Sequence, residues 1–202
     1  MSEGTGQSFP RVRRLQVGYS PAEDRVLLRL EMVSGEQRSV WIPRRVMGQL
    51  IARLNEALKR SHPAGEGQPA ADAVMAMEHV AARSELAGQR QQEQEEGAQQ
   101  QDDGEHERTD ARRLEDGSYL ITGERIEVKE GQVLVGLSGH ELPAAPGLAQ
   151  TPSPVGALSL SRTQAHELLR MLTDQAEQAQ WGLARSVSWL RWLRPRRQRG
   201  QG

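Results

Sequence analysis

The chain has 202 residues, of which 36% are hydrophobic and 3% aromatic, and its formal net charge is −1. Contents this low exclude a chain that is globular throughout, because too little apolar surface is available for burial. The chain has no cysteine, which excludes disulfides, thiolate metal sites and a cysteine nucleophile. No apolar run reaches the roughly 18 residues that a membrane-spanning helix requires. Residues 1–10 show no signal-peptide pattern and are predicted to be disordered.

Residues 11–62 are predicted to form three strands followed by a helix. Alternating apolar residues predict a first strand (Leu15, Val17, Tyr19), a second strand (Val26, Leu28, Leu30, Met32) and a third strand (Val40, Ile42). Ser34-Gly35 suits a hairpin turn, because glycine reaches positive φ without steric cost. Pro43 fits the first turn of the helix, where its missing N–H is not needed. The predicted buried residues of the helix, at helical spacing, are Met47, Leu50, Ile51, Leu54 and Leu58.

Residues 63–112 differ in composition from both flanking segments. A Pro/Gly-rich break comes first, and residues 70–86 are then predicted to form a short amphipathic helix. The predicted inner side of that helix carries Ala73, Val74, Met77, Val80 and Ala81. Residues 89–101 include seven glutamines, and the acidic run that follows has too few apolar groups to offset its ordering entropy. We therefore predict a mostly disordered Gln/Glu-rich acidic linker.

Residues 113–183 are predicted to repeat the order of strand, strand, strand and helix. The runs Arg125 to Val128, Val133 to Leu137 and Leu158 to Leu160 match the three strands before them, with Val128 matched to Val17. Between the second and third strands, residues 140–156 include four prolines. We predict an exposed, irregular loop there, because proline cannot donate to a strand ladder.

The second helix has the clearer start and is in phase with the first. Ser161 and Gln164 form a capping box, and the predicted buried residues are Ala165, Leu168, Leu169, Leu172 and Ala176. Leu50 and Leu54 precede Leu168 and Leu172 by 118 residues, as Val40 precedes Leu158. We therefore predict an α+β fold of duplicated β-meander–helix units related by a pseudo-two-fold axis, with the helical and disordered acidic insert between them.

No catalytic, cofactor-binding or metal-binding site is predicted. The five histidines are His62, His79, His106, His140 and His166, and their positions lack the spacing of metal ligands. The sequence contains neither a phosphate-binding glycine loop nor a nucleophile elbow. Strand carboxylates such as Glu31 and Glu127 fall at outward positions, where solvation is the ordinary state. We expect a protein that has no cofactor and is not an enzyme.

Trp41 is the first candidate for contact with a partner. It lies on the strand face opposite to Val40 and Ile42, and its equivalent in the second repeat is Ser159. A tryptophan on an outer sheet face is either covered by another element or contacts a partner. The helix predicted at residues 70–86 is the candidate cover.

Arginines supply the next candidate contacts. Arg13 and Arg14 open the first strand, and Arg44 and Arg45 open the first helix, where basic groups oppose the helix dipole. This placement favours an anion or an acidic partner. The alternative is an ordinary scatter of solvated surface arginines.

Residues 184–202 are predicted to form a basic tail. Residues 181–202 carry six arginines and no acidic residue. The candidate contacts in the tail are Trp189, Trp192, Arg194, Arg196 and Arg197. Tryptophan beside arginine suits a membrane interface, an acidic surface or nucleic acid. The alternative docks Trp181 and Leu183 on the core and leaves a solvated tail.

The runs Leu15 to Tyr19, Asp24 to Leu30 and Trp41 to Arg45, with the closing Ala179 to Leu183, resemble a set of small bacterial proteins without assigned function. This resemblance covers about half of the chain and implies a bacterial, cytoplasmic protein. The duplicated plan of strands then helix is also similar to PUR-type nucleic-acid-binding repeats. Those repeats have four strands before the helix and an exposed aromatic set that is nearly absent here.

These observations together favour a non-enzymatic interaction or adaptor module of the bacterial cytoplasm, with a protein partner. Two alternatives stay open. One is a nucleic-acid-binding protein that uses the surface arginines, and the other is peripheral attachment to an anionic membrane surface through the tail. A homodimer is a further alternative.

Overall fold

The computed structural model describes residues 8–61, 73–82, 84–85, 117–143 and 151–183, and within them it is a mixed α+β structure, as predicted. The elements in chain order are β1 (Val12–Ser20), β2 (Arg25–Met32), β3 (Gln37–Ile42), α1 (Arg44–Arg60), α2 (helical residues 73–82), β4 (Gly117–Lys129), β5 (Gln132–Glu141), β6 (Ser153–Leu160) and α3 (Arg162–Gln178). The first half, β1 to α1, and the second half, β4 to α3, therefore each run strand, strand, strand, helix.

The six strands form one sheet in sequence order. Neighbouring strands are antiparallel, except that β3 and β4 run parallel. The two edge strands also meet. Arg11 forms a parallel bridge with Ala157, and the Ala157 N–H donates to the Pro10 carbonyl oxygen at 2.7 Å. The sheet therefore curls until its ends touch, which gives it two parallel seams, β3–β4 and β1–β6.

The predicted inward face of β2 is confirmed. Its core residues, each at most 1% exposed, are Val26, Leu28, Leu30 and Met32. Arg29, which lies between two of them on the opposite face, is exposed. The predicted hairpin turn is present as well. Gly35 has a φ of 89°, and its N–H donates to the Met32 carbonyl oxygen at 2.9 Å. The period-two pattern thus sets which face of the strand enters the core.

The two long helices cover the inner face of the curled sheet. α1 lies against β4, α3 lies against β1, and the two helices pack on each other. All ten predicted helix core residues are buried, from Met47 in α1 to Ala176 in α3. The capping box is confirmed, because the Gln164 N–H donates to the Ser161 hydroxyl and the Ser161 N–H donates to the Gln164 side chain. Pro43 sits one residue earlier than the first helical turn, at the N-cap.

The proline-rich loop between β5 and β6 is shorter than predicted. β5 extends to Glu141 and includes His140, and β6 already begins at Ser153. Pro154 therefore lies inside a strand, opposite Ser138 and next to a shift in register. Proline is tolerated at the beginning of a strand and at bulges, where its missing N–H does not interrupt a regular ladder.

The helix predicted at residues 70–86 is confirmed in its described part, but its buried face is wrong. The buried residues of α2 are Met75, Ala76, His79 and Ala82. Met77 and Val80 from the predicted inner side are 73% and 53% exposed. The helix is rotated relative to the prediction. Glu78 pairs with Arg162 of α3, and the side of α2 that carries Glu78 with Met75, Ala76, His79 and Ala82 faces the rest of the fold.

Candidate functional site

An open groove of about 440 Å³ lies on the outer face of the sheet at the β1–β6 seam. Phe9 and Arg11 line one side, just before β1. Arg125 and Glu127 of β4 line the other side, and Ser159 of β6 closes one end. Its volume falls within the range of about 300–1,000 Å³ that is usual for ligand sites.

Small residues make the floor of the groove. Gly136 on β5 lies opposite Ala157 on β6. A Cβ atom at Gly136 would come within 3.2 Å of the Phe9 ring, so the ring rests directly on the strand backbone. Leu134 adds an apolar side chain to the same floor. The groove thus combines an aromatic wall with a shallow apolar base.

The rim of the groove is polar and partly paired. The Arg125 Nε donates to Glu127 Oε1 at 2.6 Å, and both side chains are at least half exposed. The Ser159 hydroxyl donates to the Gln132 side-chain oxygen at 2.5 Å. Arg11, the residue that precedes β1, is exposed and lines the groove. The rim therefore presents two guanidinium groups and one carboxylate, which favours a ligand of negative charge.

Two predicted contact residues extend this basic rim. Arg13 is 74% exposed and lies 3.5 Å from Glu31, and Arg14 is also exposed. Both follow Arg11 on the same strand. Exposed pairs of this kind contribute at most about 1 kcal/mol, so the two arginines remain available to an outside anion.

Trp41 lies at the other parallel seam. It is half-buried on the outer face of β3, and its Nε1 donates to the Ser118 hydroxyl of β4 at 3.2 Å. The contact that fixes the indole comes from the neighbouring strand, whereas α2, the predicted cover, contacts α3. The structure therefore places Trp41 and the arginines of β1 on different seams.

The arginines at the start of α1 divide between two roles. Arg44 Nη2 donates to the Trp181 carbonyl oxygen at 3.0 Å, so this guanidinium ties the helix to the segment that follows α3. Arg45 is exposed. The tail candidates Trp189, Trp192, Arg194, Arg196 and Arg197 lie outside the described residues.

Asp24 joins three parts of the fold. Its Oδ1 accepts hydrogen bonds from Trp181 Nε1 at 2.9 Å and from the Tyr19 hydroxyl at 2.8 Å. Trp181 is 5% exposed and meets the Tyr19 ring edge-on at 5.9 Å. The Trp181 and Tyr19 hydrogen bonds, with the nearby Arg44 charge, lower the pKa of Asp24. The same pairing raises the pKa of Tyr19. Trp181 thus docks on the core through a specific acceptor.

Asp24→Ala is expected to lower Tm by a few degrees, because the buried Trp181 N–H loses its acceptor. Glu23→Ala, in the same turn, is the control and should leave Tm unchanged. Because the folded-state pKa of Asp24 is lowered, its contribution is present near neutral pH and is lost as pH falls through that pKa. Thermal unfolding followed by circular dichroism measures both effects. Equal Tm values for the two variants would contradict this role.

A buried polar cluster joins α2 to α3. Arg162 donates to the Leu58 carbonyl oxygen, to Ser61 Oγ at 2.6 Å and to Glu78 Oε2. His166 Nε2 lies 3.5 Å from the same Glu78 oxygen, and the His79 and His166 rings are 5.9 Å apart. Burial lowers the pKa of His166 to about 4, with the Arg162 charge acting in the same direction. A neutral, 1% exposed imidazole suits a structural role.

Two further observations concern the described residues. Among them, histidine, aspartate and glutamate do not form a group of three or more arranged to hold a metal ion. None of the helices they form is both long and apolar enough to cross a membrane.

No protein-family model, curated protein or solved structure matches the chain.

The groove, the Asp24 cluster and the Arg162 cluster were not predictable from local sequence patterns. Arg162 and Glu78 are 84 residues apart, and Trp181 and Asp24 are 157 apart, so no local spacing marks either contact. The sequence signal for the groove was that the run Leu158 to Leu160 has Ser159 where the run Val40 to Ile42 has Trp41.

Proposed function

We propose that this chain is a non-enzymatic interaction module of the bacterial cytoplasm with a protein partner. The observation that carries the proposal is the groove at the β1–β6 seam, with Arg11 on its rim and Arg13 and Arg14 beside it. An apolar floor with a charged rim is the usual composition of a recognition site. The buried titratable groups of the cluster between α2 and α3 contact other side chains of the same chain, which supports a structural rather than a catalytic use for them.

We propose further that the two halves are duplicated units related by a pseudo-two-fold axis. The strand registers support this proposal. The corresponding neighbours across the second and third strands are Val26–Ile42 and Leu28–Val40 in the first half, and Val133–Leu160 and Val135–Leu158 in the second half. The crossed packing of α1 on β4 and of α3 on β1 has the same symmetry.

Matching bulges give independent support for duplication. The register of β1 shifts between Val12 and Arg14, and the register of β4 shifts between Ile121 and Gly123. Each shift lies opposite the corresponding point of the following strand. A bulge is a feature that related sequences keep, so its recurrence at one position argues for a common unit.

The registers also revise the sequence alignment of the first strands. Val17 lies opposite Leu28, and Ile126 lies opposite Val135, the counterpart of Leu28. Val17 thus corresponds to Ile126, two residues before the Val128 that the sequence pattern matched to it. A slip of two residues leaves every side chain on its original face, so alternation alone does not detect it.

Nucleic-acid binding is the second candidate function. Phe9 lies beside Arg11 and Arg125 at the groove. Proteins that bind single-stranded nucleic acids stack the bases on aromatic side chains and contact the phosphates with neighbouring basic residues. The similarity of plan to PUR-type repeats points the same way.

The double variant Arg13→Ser/Arg14→Ser tests the proposed surface. We expect it to lose most of the partner protein that the tagged full-length chain retains from native cells. Arg60→Ser/Lys129→Ser removes the same charge from other exposed positions and should retain the partner. Equal loss in both variants would mean that net charge, and not this surface, accounts for binding.

Two further measurements separate the alternatives. Binding to single-stranded DNA that falls steeply with added salt would support the nucleic-acid function. Co-sedimentation with anionic vesicles would support membrane attachment through the tail. Sedimentation velocity reports whether the protein is a homodimer.

Deletion of residues 185–202 is expected to leave Tm unchanged and to abolish partner recruitment. The described core ends with the buried Trp181 and with Leu183, whose side chain lies 3.4 Å from a Cβ position at Gly48. Thermal unfolding and partner pull-down on the full-length and truncated chains measure the two effects. A large loss of stability with partners retained would mean that the tail is structural.

A further inference from the structure

The geometry points to the groove at the β1–β6 seam as a site for a tryptophan side chain in an acidic segment of the partner protein. This inference rests on the proposed function and gives the site and the ligand chemistry for it. At the other parallel seam, β3–β4, the chain holds an indole of its own, that of Trp41.

The surroundings of Trp41 show how an indole packs at the β3–β4 seam. The indole lies on the outer face of β3, with Leu27 opposite it on β2 and Leu120 opposite it on β4. Its N–H donates to Ser118 across the seam. The first half therefore fills its own seam with an aromatic side chain between two apolar neighbours and a hydrogen-bond acceptor.

Ser159 takes the place of Trp41 in the second half. The pair Leu27–Trp41 in β2–β3 corresponds to the pair Leu134–Ser159 in β5–β6, because the pairs on either side of each one correspond. The next outward pair changes at one of its two positions. Arg29 of the first half corresponds to Gly136 of the second half, whereas Ser39 and Ala157 are similar in size. The groove adjoins both Ser159 and Gly136, and the Phe9 ring rests on the backbone of Gly136.

The contacts available in the groove match those of an indole. Leu134 and Ala157 supply an apolar floor, and Phe9 supplies an aromatic wall for offset or edge-on packing. Glu127 lies at the rim as an acceptor for the indole N–H. An exposed tryptophan that enters such a site adds both buried area and one directed hydrogen bond.

Charge complementarity selects the sequence around the tryptophan. Arg125 is paired with Glu127 and Arg13 lies 3.5 Å from Glu31, and Arg11 and Arg14 add two further positive charges to this surface. This surface attracts carboxylates and repels basic segments. The acidic peptide is therefore favoured over the arginine-rich residues 185–202 of a second chain, although those also contain tryptophan.

Fluorescence anisotropy with the full-length chain tests the site. The probe is a labelled pentapeptide that has tryptophan at its centre and glutamate at the other positions. The matched probe has alanine at its centre. We expect the tryptophan peptide to bind at least about tenfold more tightly, the loss usual when an aromatic anchor is removed. Equal binding of the two peptides would mean that the surface attracts charge alone and would overturn the inference.

Two variants locate the binding. Ser159→Trp fills the groove from within and is expected to weaken peptide binding about tenfold or more. Gln16→Trp, which places an indole on an exposed part of β1, is the control and should not change binding. Arg11→Ser should weaken binding severalfold and reduce its dependence on salt. Arg11→Ser decides the matter if Ser159→Trp fails to fold.

The outcomes separate this inference from the proposed function. The inference would be overturned if a folded Ser159→Trp variant bound the peptide as tightly as the unchanged chain does. It would also be overturned if single-stranded DNA displaced the labelled peptide at a lower concentration than the unlabelled peptide requires. If the peptide does not bind but native partners are still retained, the inference is wrong and the interaction module stands. If the peptide binds but no native partner is retained, the groove is a binding site and the proposed function as an interaction module is wrong.

Discussion

Leu54→Ala and Leu172→Ala are each expected to lower the free energy of unfolding by about 2–5 kcal/mol, the usual cost of truncating a fully buried leucine. Both side chains are 0% exposed. They lie on the inner faces of α1 and α3, where each loses its contacts with the shared core and leaves a cavity. If the halves are duplicated units, the two costs should be similar in size. Chemical denaturation at neutral pH measures them.

Exposed positions on the same helices provide the control. Gln49→Ala and Gln178→Ala remove side chains that face solvent, and we expect changes within about 0.5 kcal/mol. A full cost at one leucine with almost none at the other would place the two helices in unlike environments. That result would contradict the duplication of the two halves.

Acidification from pH 7 to about pH 4 is expected to lower the free energy of unfolding by an amount of order 3 kcal/mol through His166 alone. The pKa of this imidazole is lowered from 6.5 to about 4 in the folded chain. Between those values the unfolded chain binds a proton that the folded chain does not. The His166 contribution is therefore complete above pH 6.5 and is lost as pH falls towards 4.

The groups around His166 act in both directions. Burial and the charges of Arg162 and His79 disfavour the protonated ring, whereas Glu78 favours it. His166→Leu should flatten the decline in stability over this pH range, and His140→Leu, at a half-exposed position on β5, should not. Urea denaturation at a series of pH values makes the comparison. A decline that persists unchanged in His166→Leu would contradict this origin. Asp24 contributes at lower pH, since its pKa is lowered below the ordinary carboxyl value.

Local periodicity was enough to predict the strands of the first half and the inner faces of α1 and α3. In each case the apolar residues recur at the period of the element and make up most of its buried surface. The capping box at Ser161 was predictable for the same reason, because its two partners are three residues apart. The class of the fold followed from these elements.

Contacts between distant residues were not predictable in this way. The inward side of α2 includes Glu78, which meets Arg162, and His79, which meets His166, and these partners lie more than 80 residues away along the chain. The groove is harder still, because it arises from side chains that are small. Gly136 and Ser159 carry no local pattern, and they point to a groove only if the two halves are duplicated units and the residues are compared with Arg29 and Trp41.

The crossed packing of the helices implies that neither half of this chain folds independently. β1 packs against α3, and β4 packs against α1, so the first strand of each half is covered by the helix of the other half. In a fragment that ended after α1, the inner face of β1 would be exposed because α3 is absent, and α1 would lack β4 as its packing partner. Two separately produced fragments should instead complement each other on mixing, with a stability that rises with concentration, because covalent linkage in the intact chain gives the two halves a high effective concentration.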